Sequence, residues 1–393
     1  MRDKVQNQSY LRSINQRTIL DYLRRESLSC TDLAKRMKLS NTAIAKITEE
    51  LVSFGILVKR DGCVQDVGRR PIMLDINPAA GALYVFNLAG RAPVGIVADL
   101  AGNIICRQSF DIKGKIDLET LEEIITAAKQ RHLEIAPSLK PLAVCVSTPG
   151  KIHPQTGYFI LAHQFSGYKD INLRQVFSAH FDCEILIHND IKLALEGERL
   201  FGTHLEGVSN ALLLHIGYSV GSALMINQKI YPGSNGFAGE LTNFSLSVLD
   251  EGGQPFYPGA PDTLDALSME GIMRAIWHRA EKEITLGEAA EAYAGGDPVI
   301  REVFEKATAV WARAVRNMTE FLDIEAVIIS GDITRFGTSF AEAIESYVNS
   351  SLMHQSIKAY NSELSNESII LGALNTATTC ALNHLLNKLH EKQ

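Results

Sequence analysis

"HIGYSVGSALMINQKIYPGSNGFAGELTNF", residues 215–244, sets five glycines (Gly217, Gly221, Gly233, Gly236, Gly239) between an apolar run and an acidic residue, Glu240. Glycine reaches positive φ and lets backbone approach a ligand closely, so this is how a phosphate-cradling turn looks. Before it the chain reads ALYVFNLAG, APVGIVADLAGNII, a helix near 117–134, PLAVCVSTPG and CEILIHND. After it come a helical block near 263–321, AVIISGD and a closing helix from about 371. Buried strands alternating with helices predict α/β layers, and two strand sets separated near residue 190 predict two lobes with a cleft.

At 393 residues the chain exceeds one ordinary core and predicts two or three domains. No stretch is read as a membrane span and MRDKVQNQSYLRS is not read as a signal peptide, so the expected location is the cytoplasm. Six scattered cysteines, without C-x-x-C or His/Cys clustering, predict reduced and mostly buried thiols. The net charge of −7 is uneven: residues 1–75 carry 14 Lys+Arg against 9 Asp+Glu, the remainder 24 against 36. A basic front on an acidic body predicts a polyanion partner for the front alone.

That front reads as a winged helix-turn-helix. A first amphipathic helix places Ile14, Ile19, Tyr22 and Leu23 inward, with Ser13 or Asn15 as cap, and TDLAKRMK follows with Leu33, Ala34 and Met37 on one face. A turn at Leu39-Ser40 opens a helix with Ile44, Ile47, Leu51 and Val52 inward, stopped by Gly55. Its other face offers Ser40, Asn41, Thr42, Ala43, Ala45 and Lys46, small or polar groups suited to base edges in a major groove. Two short strands around Asp61-Gly62 predict a wing, and Gly68-Arg69-Arg70-Pro71 a cationic exit whose Arg69 and Arg70 suit phosphates or a narrow minor groove.

INQRTIL, LAKRMKLSNTAIAKITEELVSFGILV, GRRP, GYSVGSALMINQKIYPGSNGFAGE and the order STPG, HNDIKLALEGE, ILGALNTA together resemble the ROK family, which groups bacterial sugar kinases with transcriptional repressors. The resemblance covers essentially the whole chain. It implies a winged helix-turn-helix (1–76) followed by a two-lobed, actin-like (ribonuclease-H-like) α/β body, with lobes at 77–190 and 191–393.

The resemblance also locates the kinase positions, and the phosphate side departs from them. The first phosphate turn, D-x-G-G-T in the family, reads Asn87-Leu88-Ala89-Gly90-Arg91; the second reads Gly217-Tyr218-Ser219-Val220-Gly221-Ser222-Ala223 in place of G-T-G-I-G-G-G. The late adenosine-side turn reads Ser330-Gly331-Asp332. Lost glycines and a lost metal-organising carboxylate argue against ATP·Mg²⁺, so no cofactor is expected. On the sugar side Asn189-Asp190 and Glu240 match the family, while Gln164 and Asn243 stand where it has asparagine and histidine. The zinc cluster becomes Phe256 to Asp265 with no cysteine, Asp265 standing at its Glu position, so no metal is expected. Gln164, Asn189, Asp190, Glu240, Asn243 and Asp265 are therefore the expected effector contacts. Asp190 could equally cap the helix that starts IKLALEGE, and Glu240 could be an ordinary cleft carboxylate.

The expectation is a DNA-binding transcriptional regulator, a repressor of carbohydrate-related genes. Its degenerate kinase body would serve as sensor and oligomerisation platform, with Asp190 a vestigial base and the chain not an enzyme. The implied partners are operator DNA, a sugar or sugar phosphate, and further copies in a homodimer or homotetramer, with no membrane. Two alternatives stay open: a sugar kinase carrying a DNA-binding domain, and a ligand-independent repressor with a vestigial cleft.

Overall fold

A computed structural model of the chain describes residues 2–61, 71–90, 92–162, 164–241, 255–261 and 263–392, with the side chains of 2–9 excepted. Arg69, Arg70 and Asn243 lie outside the described residues, as does the expected wing turn from Gly62 onward. The chain divides into two compact units, one of Met1–Val146, Gln164–Ile187 and Leu374–Gln393, the other of Ser147–His163 and His188–Ala373. This division crosses the boundaries expected at 76 and 190: the winged helix-turn-helix shares a unit with the first lobe, and the closing helix returns to that unit from Leu374.

In the first unit, α1 (Arg2–Leu23) begins far upstream of Ser13 and Asn15, so neither caps it. Among its described side chains Gln16, Ile19, Leu20 and Leu23 are buried, while Ile14, expected inside, is 40% exposed. β1 (Leu28–Ser29) leads into α2 (Cys30–Met37), capped by Ser29. Ser29 Oγ accepts from the Asp32 amide at 3.2 Å and the Asp32 carboxylate accepts from the Ser29 amide at 3.1 Å, which satisfies two end groups at once. Lys38 turns the chain in the left-handed region (φ 54°), and α3 (Asn41–Ser53) starts at Ser40, whose Oγ accepts from the Ala43 amide at 3.2 Å. α3 buries Ile44, Ile47, Leu51 and Thr48; Val52, expected inside, is half-buried. Thr48 tolerates the core because its hydroxyl donates to the Ile44 carbonyl at 2.9 Å. β2 (Leu57–Asp61) and β3 (Ile72–Ile76) pair antiparallel, and with β1 they form a sheet ordered β1-β3-β2.

The lobe that follows is built from β4 (Ala82–Asn87), β5 (Val94–Asp99), β6 (Ile104–Ser109), α4 (Leu118–Ile135) and β7 (Pro141–Thr148). A small hairpin of β8 (Lys151–Ile152) and β9 (Phe159–Leu161) precedes α5 (Leu173–Ser178) and β10 (Glu184–Asn189). The sheet runs β10-β7-β4-β5-β6, and every residue of β4 and β5 is buried.

The second unit continues with α6 (Asp190–Phe201), β11 (Ala211–Ile216), β12 (Val220–Ile226), β13 (Lys229–Ile230), α7 (Met269–Ala280), α8 (Leu286–Gly295) and α9 (Pro298–Leu322). β14 (Ala326–Ser330), α10 (Ser339–Ser351), β15 (Lys358–Asn361) and α11 (Glu367–Glu391) complete the chain. Its sheet runs β13-β12-β11-β14-β15, antiparallel across β11–β12 and parallel across β11–β14–β15. Counted within each set, both five-stranded sheets have the order third, second, first, fourth, fifth, a repeated α/β topology that fits the expected two-lobed body. Trp311 on α9, fully buried, anchors the core and donates from Nε1 to the Leu267 carbonyl at 3.2 Å.

Two expectations need correction here. Residues 368–387 carry no charge, and α11 is by length and composition apolar enough to cross a membrane. Half of its most apolar stretch is buried in the protein, where Ile369, Ile370, Ala377, Leu382 and Leu386 join the core. Among the described cysteines only Cys145 is fully buried, and burial raises its thiol well above the ordinary range; Cys30, Cys106, Cys183 and Cys380 are half-buried.

Candidate functional site

The expected reading surface is exposed. With Ile44, Ile47 and Leu51 packed inward, the 3.6-residue period of α3 turns Asn41, Thr42, Ala45 and Lys46 to solvent, and Ser40 and Glu49 are exposed beside them. Ala43 is half-buried on the edge of this face.

In the second unit β10 ends at Asn189, and extended geometry there (φ −66°, ψ 137°) makes Asn189 the cap of α6. Its Oδ1 accepts from the amides of Ile191 at 3.1 Å and Lys192 at 3.2 Å, while its Nδ2 donates to the Gly150 carbonyl at 3.4 Å. The capping role considered for Asp190 therefore belongs to Asn189. Asp190 is the first helical residue, 8% exposed, with Oδ1 accepting from the Ile191 amide at 2.9 Å.

Three glycines with positive φ, Gly233 (74°), Gly236 (83°) and Gly239 (87°), shape the loop that delivers Glu240. A Cβ on Gly239 would lie 2.7 Å from the Ser222 carbonyl oxygen, and Ser222 Oγ donates to the Gly239 carbonyl at 2.5 Å. Lys192 Nζ donates to the Gly236 carbonyl, which ties the loop to the first turn of α6. Asp190, Glu240, Lys192 and Lys151 thus interact electrostatically. Burial lifts the Asp190 carboxyl to about 7, with the Glu240 charge adding to this and the Ile191 amide and Lys192 opposing it. Burial also raises Glu240 against the pull of Lys151 and Lys192, and lowers the Lys192 ammonium against the pull of both carboxylates. A buried and a half-buried acceptor flanked by two ammonium groups can bind a polyhydroxylated molecule, since an ionised carboxylate accepts strongly from hydroxyl donors.

In the first half of the glycine stretch Gly217 packs against neighbouring protein, while Tyr218 and Ser219 are exposed. A Cβ on Gly217 would lie 2.7 Å from His215 Nε2, and one on Gly331 would lie 2.5 Å from the Ile216 carbonyl oxygen. His215 Nδ1 and Ser330 Oγ are 3.1 Å apart, and burial depresses the imidazole to about 4, so it is neutral. The Gly217 turn and the Ser330-Gly331 turn are therefore packed on each other, with an imidazole against them. In the first unit Asn87 Oδ1 accepts from the Ala89 amide at 3.2 Å, closing its own turn.

Of the expected effector contacts, Asn189, Asp190 and Glu240 are brought together. Gln164 belongs to the first unit, where its amide donates to the Gly90 carbonyl, and Asp265 sits half-buried in the turn Leu264–Leu267 ahead of α7. Lys151 and Lys192 were missed. Lys192 stands two residues after Asp190, a spacing that could have drawn attention; Lys151 carries no such signal.

The profile of the ROK family matches residues 88–379. The chain is 24% identical over 392 residues to a xylose repressor of Caldicellulosiruptor bescii, covering 94% of this chain and 96% of that one. Among solved structures it is similar to a ROK family transcriptional regulator, a homologue of the Escherichia coli MLC protein, with TM-score 0.79 at 20% identity over 97% of this chain and 99% of the other. A ROK hexokinase of Thermus thermophilus superposes with TM-score 0.61 at 18% identity, over 76% of this chain and 99% of its own. With its profile spanning most of the length and both sheets of the body in place, the chain belongs to the ROK family.

Proposed function

We propose that the protein is a cytoplasmic DNA-binding repressor that responds to a sugar or sugar phosphate. The exposed Asn41, Thr42, Ala45 and Lys46 on a helix whose opposite face is core carry this reading, since a solvated face of small and polar groups is what a major groove admits. The repressor names of its relatives support it. Two readers in a homodimer or homotetramer would address half-sites about one helical turn apart, or a multiple of that. Arg69 and Arg70, adjoining the wing in sequence, would add backbone neutralisation. Mobility shifts on operator DNA test this. Lys46→Ala is expected to weaken binding about tenfold and Arg69→Ala/Arg70→Ala to reduce the salt slope by about 2, about one per lost phosphate contact. Unchanged affinity and slope in both would remove α3 and the wing exit from the interface.

The carboxyl of Asp190, poised at about 7, favours one other reading, a general base that deprotonates a sugar hydroxyl for phosphorylation. The replacement of the turn's glycines by Ser219, Ser222 and Ala223 weighs against a bound nucleotide. A coupled ATP-turnover assay with a hexose panel is expected to give no rate above background; turnover abolished by Asp190→Asn would make the protein a kinase.

A further inference from the structure

Gln16, on α1, is fully buried, and a buried side-chain amide is costly unless both its ends are partnered. Its Nε2 donates at 3.1 Å to Glu50 Oε2 on α3, a carboxylate that also accepts from Arg12 Nε at 3.1 Å and from Arg12 Nη2. Its Oε1 lies 2.7 Å from His390 Nε2, in the last turn of α11. Because Gln16 spends its donor on Glu50, its oxygen must accept, and His390 must carry its proton on Nε2. The sequence separation from Gln16 to His390 is 374 residues, so the bond joins the two ends of the chain.

The C-terminal segment, α11 and Lys392 just after it, grips the reader at two further points. Lys392 Nζ stands 5.3 Å from the ring centroid of Phe54, the residue that ends α3. Arg24, just past α1, donates from Nη1 to Thr379 Oγ1 at 2.8 Å and from Nη2 to the Asn375 carbonyl at 3.0 Å. With Arg24 at 375–379 and Gln16 at 390, α11 runs antiparallel to α1. Leu20 of α1 and Leu382 and Leu386 of α11, all buried, face one crevice between them.

We propose that the last turn of α11 is part of the DNA reader: His390, through Gln16 and Glu50, sets the position of recognition helix α3. His390 and Gln16 are positioning residues, and neither touches DNA. The inference rests on the reading of α3 as a DNA-recognition helix. A register-setting side-chain chain of this kind matters for readout because bidentate base contacts tolerate little displacement.

The test uses full-length protein and a duplex selected by the wild type from a random-sequence library. His390→Ala is expected to bind that duplex about tenfold more weakly, the equivalent of one orphaned buried acceptor. His390→Gln, which returns an amide donor to the same place, is expected to restore affinity to within threefold. Oligomeric state and salt slope should be the same in all three proteins, which separates positioning of α3 from the loss of a phosphate or subunit contact. Amide hydrogen exchange over 44–53 is expected to quicken in His390→Ala and return to the wild-type rate in His390→Gln. Wild-type affinity and exchange in His390→Ala would overturn the proposal, as would a His390→Gln protein as impaired as His390→Ala. If the wild type selects no duplex, the DNA-binding reading fails, and exchange at α3 still decides whether His390 positions that helix.

Discussion

Gly197→Ala is expected to lower the melting midpoint of the protein by roughly 6–12 °C, the shift that a loss of about 3 kcal/mol gives in a unit of this size. Gly197 lies mid-way along α6, and a Cβ there would sit 2.0 Å from the Ser368 carbonyl oxygen and 2.7 Å from its carbon. Reciprocally, a Cβ on Gly372 of α11 would sit 2.0 Å from the Leu193 carbonyl oxygen and 3.1 Å from the Gly197 amide nitrogen. The two helices therefore cross at backbone contact, and backbone cannot swing aside as a side chain can. Alanine gains about 1 kcal/mol of helix propensity over glycine, too little to offset the separation it forces. Gly295→Ala, near the end of α8 with nothing within 4 Å of its added Cβ, is the control and should be neutral or slightly stabilising. Thermal unfolding by circular dichroism separates the two; a Gly197→Ala protein that melts with the wild type would mean the crossing is loose.

That crossing was not legible in the sequence, because glycine at a helix crossing looks like any glycine inside a helical pattern. What could be read was whatever a local rule determines. Ser40 followed by an apolar stripe at 3.6 spacing fixed α3, and Gly55, with φ 82°, ended it as expected. Thr48 joins the core without an apolar signal: hydropathy counts its hydroxyl as polar, whereas a bond to the carbonyl four residues back removes that cost. The first turns of α1 were missed because residues 2–12 hold only Val5, Tyr10 and Leu11 as apolar groups, too few for a stripe at helical spacing. Asn189 and Asp190 are both able to cap, and only the length of β10 decides between them. Lysines read as surface residues; Lys151 and Lys192 become part of the site only because the loops at 150, 190 and 236–240 converge, a long-range fact no local pattern encodes.

Asp190→Asn is expected to make the protein more stable at pH 8 while weakening its response to sugars. The carboxyl is 8% exposed, and burial raises it from 3.8 to about 7, so the folded state holds a proton that the unfolded chain releases. Stability must then fall as pH climbs through that interval and level off above it, by up to roughly 4 kcal/mol for this group alone. Glu240, raised for the same reason, adds in the same direction, whereas Lys192, with its ammonium lowered, works in the opposite direction. Asparagine has nearly the shape of the protonated acid and no charge to bury. The variant should therefore melt several degrees above the wild type at pH 8, with the difference shrinking towards pH 4. A carboxylate kept in place at such a cost is explained if it is the ionised acceptor for a ligand hydroxyl, a bond stronger than an amide oxygen can make. In thermal-shift titrations with D-xylose, D-glucose, N-acetylglucosamine and glucose 6-phosphate, the sugar that stabilises the wild type should then bind Asp190→Asn about 10- to 100-fold more weakly. Wild-type affinity should itself improve as pH rises through about 7. A variant that melts lower at pH 8 yet retains the full sugar shift would show that Asp190 serves the fold and not the ligand.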